Sequence, residues 1–179
     1  MKKSIFYLAF FLFTAPMAMA QEFNVGTNVI TAGIGFGGSY DYYGSPSQSP
    51  GFSVAYERGI WDVGGPGVIS LGGYLGFKTY KYGSYYNNAK WNYTIIGARG
   101  AYHFNGLDVD GLDVYGGLML NYTFLSYDNN PYYESSSYGS TFGATPFVGG
   151  RYFFTDNFGA YAELSYGVAY FTVGVAFKF

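Results

Sequence analysis

Apolar and polar side chains alternate with a period of two along most of the chain, in stretches of about ten residues. The clearest stretch is the last one. Phe171, Val173, Val175, Phe177 and Phe179 share one parity, and Tyr170, Thr172, Gly174, Ala176 and Lys178 share the other. Successive side chains of a strand point to opposite faces, so this is a strand pattern. A wholly apolar strand that ends on a carboxylate is an aggregation-prone edge unless it pairs to close a cylinder. Tracing the parity backwards predicts seven further strands, near 28–37, 52–57 or a little beyond, 68–80, 93–104, 112–127, 142–154 and 158–167. Polar tracts at 38–50, 82–90 and 128–140 take turns with tight turns at 62–67, 105–110 and 155–157, and a very short link near Gly167 and Val168 reaches the last strand. Eight strands joined alternately by long and short connections describe an all-β, antiparallel, up-and-down transmembrane barrel with both ends of the processed chain on one side.

The charges test whether one face meets lipid. Glu57, Lys78, Arg99, Arg151, Glu163 and Lys178 lie within strands, and each has the parity opposite to the apolar series. A Lys or Arg facing lipid at mid-bilayer costs ~2–4 kcal/mol, whereas one facing the lumen finds partners. Arg58 and Lys81 share the apolar parity but sit at strand ends, within reach of headgroups. The pattern is therefore apolar outside and polar inside, the reverse of a soluble barrel. Pro146 lacks an amide hydrogen and is expected near the external rim, at a bulge.

The start of the chain supplies an address. Met1-Lys2-Lys3, the apolar run from Ile5 to Phe13 and the small-x-small triplet Ala18-Met19-Ala20 read as a secretory signal peptide over 1–20, leaving a barrel domain over 21–179. The run is shorter than the ~20 residues of a spanning helix. Charged residues make up only 11% of the chain, too few for an ordinary soluble surface, while aromatics reach 23%. Without Lys2 and Lys3, seven Lys and Arg face eleven Asp and Glu, which argues against a nucleic-acid partner. No cysteine is present, so neither disulfides nor thiolate metal sites arise.

With the alternating connections, the leader and the ending Phe171, Val173, Val175, Phe177, Phe179, the chain resembles the small eight-stranded outer-membrane barrels of Gram-negative bacteria, the OmpA/OmpX type. The run from Val148 to Asn157, followed by Glu163, is also similar to barrel proteins of Bacteroidetes. The resemblance implies a location in the outer membrane and reading of the terminal Phe171–Phe179 series by the barrel-assembly machinery. The chain departs from the OmpA pattern in ending at the barrel, so no peptidoglycan-binding domain is implied.

Candidate chemistry is sparse. Gly33, Gly35 and Gly38 spell GxGxxG, but no helix follows, so they read as small lumen residues and not as a dinucleotide loop. Asp108, Asp110 and Asp113 have calcium-like spacing without a closing bidentate Glu and read as a solvated turn. His103, the single histidine, is expected to hydrogen-bond in the lumen near the periplasmic end. Arg151 and Glu163 flank a tight turn on the lumen face and are expected to join Glu57, Arg99 and Lys78 in a plug, since an eight-stranded barrel is just wide enough for side chains to fill. A charged selectivity lining is the alternative. Tyr42, Tyr43, Tyr85, Tyr86, Tyr132 and Tyr133 lie in Tyr/Ser/Gly/Asn tracts, whose mix suits either adaptable contacts with an extracellular ligand or an interfacial girdle.

The expected role is envelope-structural or surface-interacting, for a monomer in outer-membrane lipid with no cofactor and no enzymatic chemistry. One rival is a narrow transporter for small or hydrophobic solutes. The other is a lipid-modifying barrel enzyme, which needs a Ser/His/Asp-like set at the outer rim.

Overall fold

The computed structural model describes residues 23–38, 47–84, 87–107, 109–128 and 140–179. The predicted leader and the six loop tyrosines, Tyr42, Tyr43, Tyr85, Tyr86, Tyr132 and Tyr133, lie outside the described residues. Eight strands form the wall: β1 Asn28–Phe36, β2 Gly51–Asp62, β3 Gly67–Ser84, β4 Asn87–Phe104, β5 Leu112–Asp128, β6 Thr141–Phe153, β7 Phe158–Ser165 and β8 Phe171–Lys178. The two-residue piece Ser47–Gln48 pairs with Lys81 and Tyr80 of β3. Each strand pairs antiparallel with the next. The ring closes where β8 meets β1, from Val29 opposite Lys178 to Phe36 opposite Phe171. Among the described residues there is no helix.

The parity holds around the ring. Ile30, Val54, Leu71, Ile96, Leu118, Val148, Leu164 and Val173 are exposed on the outside. Such a continuous apolar belt would be untenable against water and is what lipid requires. Aromatic side chains bound it on both sides. Trp61, Tyr102, Phe104, Tyr152, Phe154 and Phe179 lie towards the end of the short turns, and Phe36, Phe52, Phe77, Tyr122, Phe142 and Phe171 towards the other. Paired aromatic rings at two levels are the interfacial girdles of a membrane barrel.

The wall has unequal heights. β3 and β4 each have 18 residues and β5 has 17, whereas β7 and β8 have 8 and β1 has 9. At a rise of about 3.3 Å per residue this is roughly 60 Å along the tall strands against roughly 26 Å along the low ones. The tall side corrects one expectation. The tract 82–90 is not a polar loop: β3 continues to Ser84 and β4 begins at Asn87, with Ser84 opposite Asn87. Beyond the membrane both faces of a strand can be polar, so hydrophobic alternation stops at the lipid boundary while the ladder goes on.

Two irregularities have local causes. In β2 the register against β3 shifts between Gly59 and Trp61, and this bulge turns both Ile60 and Trp61 outward. Pro146 faces outward in regular register opposite Leu118, without the expected bulge. The ladder from β6 to β7 ends at Phe147 opposite Ser165, so Pro146 lies at the lip of the low wall. A closed barrel thus gains a stretch of edge wherever one strand outruns its neighbour, and proline is tolerated at such edges.

Candidate functional site

The inward side chains of the half nearer the short turns form one interlocked polar network. Glu57 on β2 and Arg99 on β4 are both opposite Gly72 of β3. With no side chain between them, Glu57 Oε1 lies 2.8 Å from Arg99 Nε. The same device recurs across β6. Tyr115 and Glu163 are both opposite Gly149, and the Tyr115 hydroxyl donates to Glu163 Oε2 at 3.1 Å. Arg99 Nη2 donates to that oxygen at 2.7 Å. Arg151 Nη2 donates to Glu57 Oε2, and Arg151 Nη1 lies 3.3 Å from Asp113 Oδ2, its direct cross-strand neighbour. Asp113 Oδ1 is 2.8 Å from His103 Nδ1, and His103 Nε2 is 2.9 Å from Ser70 Oγ.

Every member of this string is buried. The guanidinium of Arg99 stacks over Phe147 at 3.9 Å and that of Arg151 over Tyr115 at 4.2 Å. Three carboxylates, Glu57, Asp113 and Glu163, therefore share two guanidiniums, the five side chains coming from five strands. Buried charges persist only when paired, and withdrawing one partner strands the others.

Four of the five residues expected in a plug are brought together: Glu57, Arg99, Arg151 and Glu163. Lys78 is not among them. Its Nζ donates to the Gly37 carbonyl and lies 5.1 Å over the Tyr80 ring, near the opposite end of the lumen. Arg151 and Glu163 are diagonal neighbours, since Arg151 faces Tyr161 and Glu163 faces Gly149, and each binds other partners instead of the other. Asp113, read from the sequence as part of a solvated turn, is the second residue of β5 and is buried against Arg151 and His103. Its inward parity, shared with Tyr115, was the available signal. Asp108 lies outside the described residues. Among the described residues no group of three His, Cys, Asp or Glu side chains is placed to hold a metal ion.

Peptide segments cover the lumen at both ends. At the end of the short turns, Phe23 is buried and stacks on His103 with centroids 3.7 Å apart and planes 8° from parallel. At the other end, the β7–β8 connection turns Val168 and Ala169 inward, where they pack with Tyr74, Met119 and Phe147. Both features escape an alternation-based reading because neither segment is a strand. Tyr170, expected on the inner face with Thr172, is exposed because it belongs to this connection. The GxGxxG glycines fit the lumen reading. A Cβ on Gly33 would meet the Tyr161 hydroxyl at 2.2 Å, and one on Gly35 would meet Ala169 Cβ at 2.4 Å. Phe171, Val173, Val175, Phe177 and Phe179 form an exposed outer ridge on β8 and just past it.

No protein-family model and no curated protein matches the sequence. Solved structures do match the fold. The attachment invasion locus protein Ail of Yersinia pestis, in complex with the heparin analogue sucrose octasulfate, superposes with a TM-score of 0.56 at 14% identity, covering 87% of this chain and 99% of that one. The N-terminal β-barrel domain of Pseudomonas aeruginosa OprF gives 0.55 at 19% identity, covering 87% of this chain and 98% of that domain. At these identities the likeness is one of fold. The chain is a closed, eight-stranded antiparallel β-barrel with the architecture of the small outer-membrane barrels.

Proposed function

We propose that this protein resides in the bacterial outer membrane as a monomeric, closed barrel, and that it acts at the cell surface through its external tracts. In this reading residues 1–20 are removed on export, both ends of the processed chain are periplasmic, and the β8 ridge ending at Phe179 is what the assembly machinery grips. The role is envelope-structural or one of surface contact. No cofactor takes part, and in the closed state the barrel does no chemistry. The observation that carries the reading is the Glu57–Arg99–Arg151–Glu163 network lying across the lumen, which leaves the loops to meet partners. A narrow channel, the rival, would have to pass through that network.

One structural neighbour is an attachment invasion protein solved with a heparin analogue. The tracts of the present chain hold Asp41, Asp128 and Glu134 against Lys90, a balance that disfavours a sulfated polyanion and puts contact on tyrosine. The test replaces Tyr42, Tyr43, Tyr85, Tyr86, Tyr132 and Tyr133 by serine in one variant. The expected result is an unchanged heat-modifiable gel shift together with loss of cell-surface binding when the protein is displayed on bacteria. Undiminished binding contradicts the reading.

A further inference from the structure

Ser70, His103 and Asp113 come from three adjacent strands, β3, β4 and β5, near the mouth of the lumen on the side of the short turns. A carboxylate can only accept, so Asp113 Oδ1 takes the hydrogen of His103 Nδ1 at 2.8 Å. In the neutral imidazole, Nε2 is then left to accept from the Ser70 hydroxyl at 2.9 Å. This is the order of nucleophile, base and orienting acid that acyl transfer requires, recognisable by geometry on any fold.

The chain's own N-terminal segment covers this set. The Phe23 ring lies flat on the imidazole and sits among Val29, Val68, Phe153 and Ala176. Its carbonyl accepts from Asn105 Nδ2 at 2.9 Å. Gly26 N donates to the Gly59 carbonyl at 2.8 Å, and Gly59 N to that of Thr27 at 3.0 Å. Gly59 is shaped for the segment, since a Cβ there would lie 2.2 Å from the Asn24 carbonyl oxygen. Arg151 lies 5.9 Å from the Phe23 ring centre, with its Nη1 held 3.3 Å from Asp113 Oδ2, the carboxylate that orients His103.

We propose that Ser70, His103 and Asp113 form a latent esterase site, shut by Phe23, whose slot takes the aryl or acyl group of a carboxylic ester when the segment swings out. The Ser70 Oγ then bonds the ester carbonyl carbon and passes its proton to His103 Nε2. The ester C–O bond breaks, and the departing alkoxide takes that proton. Water, deprotonated in turn by His103, hydrolyses the acyl-serine to the free acid and restores Ser70.

The experiment uses the full-length protein folded in detergent micelles and an aryl fluorophosphonate, which forms an Oγ–P bond and releases fluoride. F23A is expected to be labelled at Ser70 while the wild type is not. The label is lost in F23A/S70A, and its rate falls about a hundredfold in F23A/H103Q, the lower range for loss of a general base. G59A opens the slot by a second route with Phe23 retained, and is expected to label at Ser70 as well. Folded F23A and G59A that both stay unlabelled at Ser70 overturn the site. Labelling no more selective for Ser70 than for Ser53 or Ser165 overturns it too, and a wild type that labels as fast as F23A overturns the stopper.

Discussion

In the half of the lumen nearer the short turns the wall is held together by charge, with Arg99 and Arg151 each bound to two carboxylates. In the opposite half it is filled by shape, with Val168, Ala169, Tyr74, Met119 and Phe147 packed together and Lys78 bonded to a backbone carbonyl. The two kinds of closure differ in what they demand of the sequence. Side-chain packing tolerates substitutions of similar volume, whereas paired charges must meet at one register. A strand slipped by one residue would turn its charge to lipid, so the network fixes register for most strands of the ring. The packed half carries no such constraint.

The contrast predicts unequal consequences. The largest is expected for Glu57→Ala, which takes a partner from both arginines: about 3–5 kcal/mol of stability in urea unfolding from lipid vesicles, the range for breaking a buried ion pair. Next is Leu118→Arg on the outer face, a control for which side meets lipid. It should cost ~2–4 kcal/mol in the same assay, and a neutral result would mean the belt does not face the bilayer. Gly33→Val drives a side chain into Tyr161 and Thr172 close to the β1–β8 seam, with an expected cost of ~1–3 kcal/mol and a slower appearance of the folded gel band. Val168→Ala in the packed half should cost only about 1 kcal/mol. Equal losses for Glu57→Ala and Val168→Ala would erase the distinction between the halves.

The fold was legible because lipid imposes the period-2 pattern on every strand that crosses it. All eight strands and the β1–β8 closure follow from that pattern. It failed where lipid stops acting. The extension of β3 and β4 beyond the membrane carries no alternation, and the tract 82–90 was mistaken for a loop. The network was half legible. Parity placed Glu57, Arg99, Arg151 and Glu163 inside, but partners depend on which neighbours are glycine, as at Gly72 and Gly149. Parity also put Lys78 inside without revealing its height, which is why it was grouped with charges it never reaches. The close spacing of Asp108, Asp110 and Asp113 suggests a turn, although the strand begins at Leu112, just before the last of them. Phe23 lies ahead of the first strand and Val168 in a connection, where period-2 alternation carries no information about the lumen.

The central claim is that the barrel is shut. Recording from the full-length protein in planar lipid bilayers tests it most directly. A flat current without unitary steps over a range of applied voltages is the predicted result. Steady, discrete openings in the wild-type protein would contradict it.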